Sequence, residues 1–156
     1  MAFGALSVKG RALRCLAQRE HSRVELERKL ARHVQDQPDA SARVQIAAAL
    51  DELTAKGLLS EARVAEQVVA SQAARYGARR LKQTLQMKGL APALVSSTLE
   101  QVRGTELERA REVWRRRFGS LPADGAERAR QMRFLAGRGF EGDVIHRVLR
   151  IQDDDD

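Results

Sequence analysis

Cysteine is almost missing from this chain. Cys15 stands alone, so no intramolecular disulfide can staple the fold, and the chain suits a reducing compartment. Proline is scarce, at 3 residues, and aromatics make up only 4%; few helix breakers and few strand formers remain. No apolar run approaches the about 20 residues that a bilayer span requires. The first nineteen residues lack acids, which superficially resembles a transit peptide. Leu13, Leu16 and Ala17, however, lie at helical spacing and run on toward the next helix, so an ordinary helix of a cytoplasmic protein is expected. What fills the 156 residues is Ala, Leu, Arg, Glu and Gln, with 43% hydrophobic and 31% charged residues and a net charge of +7. That is too apolar for a disordered chain and too charged for a membrane protein. An all-α, basic fold with a modest core follows.

Charge is segmented. Residues 1–34 carry eight basic residues against three acids, 35–74 three against six, and 75–103 six against Glu100 alone. The surface should therefore be electrostatically uneven rather than uniformly basic. Helix punctuation is legible as well. Ser22-Arg23-Val24-Glu25 spells a capping box, and 35–41 reads as a loop. Val44, Ile46, Leu50 and Leu53 form an apolar run closed by Gly57, a left-handed C-cap. Ser60 can cap the next helix, Gly77 and Gly89 bracket another, and Pro92 suits a first helical turn. Helices near 105–118 and 126–137, and a last one after Gly142, bring the expected total to nine.

The nine fall into threes. Leu85-x3-Gly89-Leu90-x4-Val95-x3-Leu99 recurs fifty residues later as Leu135-x3-Gly139-Phe140-x4-Ile145-x3-Leu149. Leu30, Ile46 and Leu50 fit the same pattern if 35–41 holds an insertion of about six residues. The expected organisation is three tandem three-helix repeats, at 1–57, 58–103 and 104–150, followed by a disordered acidic tail at 151–156. Such repeats should stack into an elongated, curved array that offers a long surface to a macromolecular partner.

No constellation points to catalysis. His21, His33 and His146 show no metal-ligand spacing, and Cys15 has no base tied to it by sequence. Gly137-x-Gly139-x2-Gly142 spells a dinucleotide motif, but a helix rather than a strand precedes it. Asp51 and Glu52 are adjacent on a helix and point to different azimuths. A non-enzyme without metal or cofactor is expected. Basic clusters are what remain. Arg75, Arg79, Arg80, Lys82 and Lys88 surround Tyr76 with no acid among them, a patch for nucleic-acid phosphates or an acidic protein groove. Trp114-Arg115-Arg116-Arg117-Phe118 interleaves cations with aromatics. The two rings, four residues apart, should face the core, leaving Arg115, Arg116 and Arg117 to the surface. Arg128, Arg130, Arg133 and Arg138 belong to a mixed face with Glu127.

Arg75-Tyr76-Gly77-Ala78-Arg79-Arg80-Leu81-x3-Leu85-x2-Lys88-Gly89-Leu90 resembles the RecX family of bacterial recombinase regulators. So do Leu53-x3-Gly57-Leu58-Leu59-Ser60-Glu61, Ser22-x2-Glu25-Leu26-x3-Leu30 and Phe134-Leu135-x2-Arg138-Gly139-Phe140, in family order across nearly the whole chain. The resemblance implies a non-catalytic monomer that lodges in the groove of the RecA–single-stranded-DNA filament. There it would inhibit ATP hydrolysis, strand exchange and filament growth, with weak non-specific binding to DNA. The alternative from a different class is a free-standing, basic helical module for DNA or RNA.

Overall fold

The structure is a computed structural model that describes residues 6–150; the acidic tail expected at 151–156 lies outside the described residues. Among those residues there are nine α-helices and no strand. The helices are α1 Val8–Gln18, α2 Arg23–Ala31, α3 Ala42–Ala55, α4 Glu61–Gln72, α5 Ala78–Met87, α6 Pro92–Arg103, α7 Glu106–Arg117, α8 Gly125–Gly137 and α9 Gly142–Arg150. They form two compact units. One runs to Gln67 and takes in Lys88–Leu90; the other holds Val68–Met87 and the chain from Ala91 onward.

In the first unit, side chains written next to the helix starts satisfy the orphan amides of the first turn. Ser7 Oγ accepts from Gly10 N–H at 3.0 Å, and Ser41 Oγ from Val44 N–H at 3.2 Å. Ser22 and Glu25 form the expected capping box at α2. Gly57, at φ 73°, ends α3. There Leu58 N–H reaches Leu53 O at 2.9 Å and Gly57 N–H reaches Thr54 O at 3.0 Å, a Schellman closure. Leu26, Leu30, Ile46, Leu50 and Leu53 pack with Ala12 and Leu59 into one core. Val44 departs from the expected stripe and is 58% exposed. It lies about 200° around the helix from Ile46, so the buried face runs through Ala49 instead.

His21 is fully buried in this unit as a structural residue. Its Nδ1 lies 3.0 Å from the Arg19 carbonyl and its Nε2 2.7 Å from Lys29 Nζ. An ammonium can only donate, so Nε2 accepts and the ring is neutral. Burial lowers its pKa, in keeping with that form.

In the second unit α5 packs on α6, with Leu81, Leu85, Val95 and Val102 buried. The helices α7, α8 and α9 enclose Ala110, Trp114, Leu135, Phe140, Ile145, Val148 and Leu149. Trp114 faces the core as expected, and its indole N–H donates to Gln131 Oε1 at 2.8 Å. The turn before α5 crosses the turn between α8 and α9 at van der Waals limits. Gly77 N–H donates to Arg138 O at 2.9 Å and Arg79 N–H to Gly139 O at 3.0 Å. A Cβ on Gly77 would stand 2.5 Å from Gly139 O and from the Phe140 backbone, so the constraint on Gly77 is space rather than φ. Gly139, at φ 87°, answers both demands at once.

Gly77→Ala should therefore lower stability by on the order of 2–3 kcal/mol, because two backbones must part. Gly137→Ala, with nothing within 4 Å of the added Cβ, should be neutral or gain about 0.5 kcal/mol. Thermal unfolding of the two variants checks this, and equal melting points would contradict the crossing.

Candidate functional site

The glycine crossing brings two stretches of sequence together at one place. Tyr76 precedes Gly77, Arg138 precedes Gly139, and Arg80 follows in the first turn of α5. The three meet, with Arg80 Cζ 4.6 Å and Arg138 Cζ 5.6 Å from the Tyr76 ring centroid, and Arg75 Cζ at 5.4 Å. Arg138 also stands over Phe134 at 5.2 Å. Arg117 then bridges Phe134 at 5.5 Å and Phe118 at 5.7 Å, and Arg130 covers Phe118 at 5.5 Å. The two phenylalanines meet edge to face at 5.3 Å and 87°. The result is a continuous strip in which guanidinium groups and rings alternate, all within the second unit. Each exposed stacking contributes about 0.5–1 kcal/mol; its larger consequence is to hold long, flexible arginines in place.

Two ionic side chains, one buried and one half-buried, set the strip's foundation. Glu106, 3% exposed, accepts from Ala78 N–H at 3.1 Å and Glu141 N–H at 3.5 Å, the starts of α5 and α9. Arg109, one turn later, donates to Ala73 O at 2.6 Å, Tyr76 O at 2.8 Å and Val102 O at 3.0 Å. Burial lowers the Arg109 pKa, and the Glu106 carboxylate opposes that shift.

The expected patch around Tyr76 is divided by the fold. Arg75 and Arg80 turn to the Tyr76 ring. Arg79 and Lys82 are exposed and lie three residues apart on another side of α5. Lys88 leaves the cluster altogether. It belongs to the first unit and pairs at 3.0 Å with Glu25, an acid 63 residues away in sequence, which compensates its charge. Arg115 and Arg116 are exposed and share Glu112, at 2.7 and 2.9 Å. Arg117 joins the strip. Phe118, expected in the core, is half-buried at its edge. Sequence reasoning missed Arg130, Phe134 and Arg138 as site residues. Phe134 and Arg138 carried a signal, since Arg138 occupies the position before Gly139 that Lys88 occupies before Gly89.

Among the described residues no group of acids, histidines and cysteine could hold a metal ion. None of the described helices is long and apolar enough to cross a membrane.

The chain matches the family models of two RecX domains, the second three-helix domain over residues 60–99 and the third over 105–149. It is 53% identical to the regulatory protein RecX of Leptothrix cholodnii over 148 residues, covering 95% of this chain and 90% of the relative. It is 44% identical to that of Chromobacterium violaceum, covering 100% of this chain and 97% of the relative. In fold it is similar to the crystal structure of RecX from Lactobacillus salivarius, with a TM-score of 0.75 at 20% identity over 94% of both chains.

The Lys88–Glu25 pair has a pH signature. Burial alone would raise the Glu25 pKa; hydrogen bonds from Arg19, Lys88 and Ser22 N–H outweigh it and hold the carboxyl at about 2, below its ordinary 4.5. A depressed folded-state pKa contributes stability above the unfolded value and loses it as pH falls toward the folded one. Wild type should therefore exceed Glu25→Gln in urea midpoint at about pH 6, and the gap should shrink progressively between about pH 5 and pH 2. A gap that stays constant over that range would exclude the ion pairs as its source.

Proposed function

This chain belongs to the RecX family of regulatory proteins, and we propose that it regulates RecA by binding the groove of the RecA–single-stranded-DNA filament. In this reading it is not an enzyme. It acts in the cytoplasm as a monomer, and it slows RecA ATP hydrolysis, strand exchange and filament growth. The observation that carries the reading is the strip from Arg80 through Tyr76, Arg138, Phe134 and Arg117 to Phe118 and Arg130. Cations pre-set on rings lose little freedom on meeting an anionic surface, and a nucleoprotein filament is such a surface.

Of the residues that the sequence marks, Arg75, Tyr76, Arg80 and Arg117 take the central role in this proposal. Arg79, Lys82, Arg115 and Arg116 supply longer-range attraction, and Lys88 supplies little because Glu25 holds it. The three-helix repeats at 58–103 and 104–150, and a first at 1–57, would engage neighbouring RecA protomers, so that avidity favours the filament over free RecA.

ATP hydrolysis by the cognate RecA on single-stranded DNA, titrated with this protein below one copy per protomer, is the direct test. Suppression at substoichiometric ratios is expected. The double variant Arg80→Ala, Arg117→Ala should need about thirtyfold more protein for half-suppression, since each lost charge contact counts about 1 kcal/mol, with its helical circular dichroism unchanged. No suppression at excess, together with tight binding to naked DNA at about 0.15 M salt, would favour a free-standing nucleic-acid module.

A further inference from the structure

Beside the strip, the turn after α4 and the facing sides of α7 and α8 enclose a groove of about 280 Å³. Val113 and Phe134 give it an apolar floor, Ala74 stands at its edge, and Arg75, Arg117 and Arg138 stand at its rim. The one acid lining it, Glu112, is already paired with Arg115 and Arg116. We propose that this groove receives one apolar side chain of an acidic protein segment, whose flanking carboxylates meet the three rim arginines. The inference deepens the function proposed above and rests on it only for the source of the segment, which would then be RecA.

Three features favour an acidic peptide over a nucleic-acid strand. The volume is smaller than the about 300–1,000 Å³ of a small-molecule site, and suits a single side chain. Single-stranded nucleic acid is held chiefly by bases stacked on aromatic faces, yet the Phe134 ring already carries Arg117 and Arg138, and Tyr76 carries Arg75, Arg80 and Arg138. A base could stack there only by displacing a guanidinium. A guanidinium laid on a ring can still meet a carboxylate or a phosphate with two parallel hydrogen bonds, so the charge alone does not choose between them. An apolar floor adds nothing for a phosphate backbone, whereas it rewards a leucine or phenylalanine anchor.

Ala74 is exposed at the groove edge, so Ala74→Trp fills the groove without altering charge or core; its melting point should match wild type. The probes are a fluorescent peptide with one phenylalanine flanked by two acids on each side, the same peptide with alanine at the centre, and a thymidine oligonucleotide. Wild type should bind the phenylalanine peptide about tenfold tighter than the alanine peptide. Ala74→Trp should abolish that preference and leave oligonucleotide affinity within about twofold. A second variant, Arg117→Ala, should weaken both peptides, because it removes a carboxylate partner and not the floor. Equal affinity of wild type for the two peptides overturns the proposal. So does an Ala74→Trp loss of oligonucleotide binding as large as its loss of peptide binding, which would assign the groove to nucleic acid. The RecA ATPase assay separates this from the parent reading. Suppression that Ala74→Trp retains in full removes the groove and leaves RecA regulation standing. Peptide discrimination without any suppression by wild type removes RecA and leaves the groove.

Discussion

Glu106 lies between the first turns of α5 and α9, 3% exposed, its carboxylate 3.1 Å from Ala78 N and 3.5 Å from Glu141 N. A buried carboxylate is costly unless hydrogen bonds and opposite charge surround it. Here two helix N-termini supply orphan N–H groups and the positive ends of two helix dipoles. Arg109 completes the arrangement from the other polarity, since its guanidinium takes the carbonyls that close α4 and α6. The segment from Ala73 to Ala78 is thus gripped at both ends by side chains of α7. That grip fixes the backbone at Tyr76, and the glycine crossing then sets Arg138 against the same ring. The strip follows from helix ends that had to be satisfied in any case, so its geometry is built into the fold.

What could be read from the sequence divides by distance along the chain. The capping box at Ser22, the Schellman closure at Gly57 and the short-range helix periodicity are written in neighbouring residues, because they satisfy backbone groups within one turn. Trp114 was legible as a core residue for the same reason. The cation cluster around Tyr76 was legible only as composition. Its division needed contacts across long stretches of chain: Lys88 to Glu25 at a separation of 63 residues, and Arg138 to Tyr76 through two turns that touch. Glu106 and Arg109 look on paper like an ordinary acid and base in a charged helix. Only packing shows that they close four helix ends. Phe118 illustrates the intermediate case, since four-residue spacing from Trp114 sets its azimuth but not how far the core extends over it.

The two units repeat one device and differ at its most informative position. In the first, Glu61 accepts from Arg23 N–H at 3.0 Å, at the start of α2; in the second, Glu106 does the same for Ala78 at the start of α5. Gly89 lies against Val24 and Gly139 against Arg80, in nearly the same register. The residue before each glycine is a cation, yet the two have different fates. Lys88 meets Glu25 and its charge is compensated inside the unit. Arg138 meets the faces of Tyr76 and Phe134, which orient it without neutralising it. A planar guanidinium can stack on a ring face and still present its edge as a fixed fork of donors, whereas an ammonium is a point charge without that fork. The charge at the same repeat position is therefore compensated in one unit and left uncompensated on a ring in the other. The choice between them was made by the partner residue, a carboxylate at 25 against an aromatic ring at 76, more than by the cation itself.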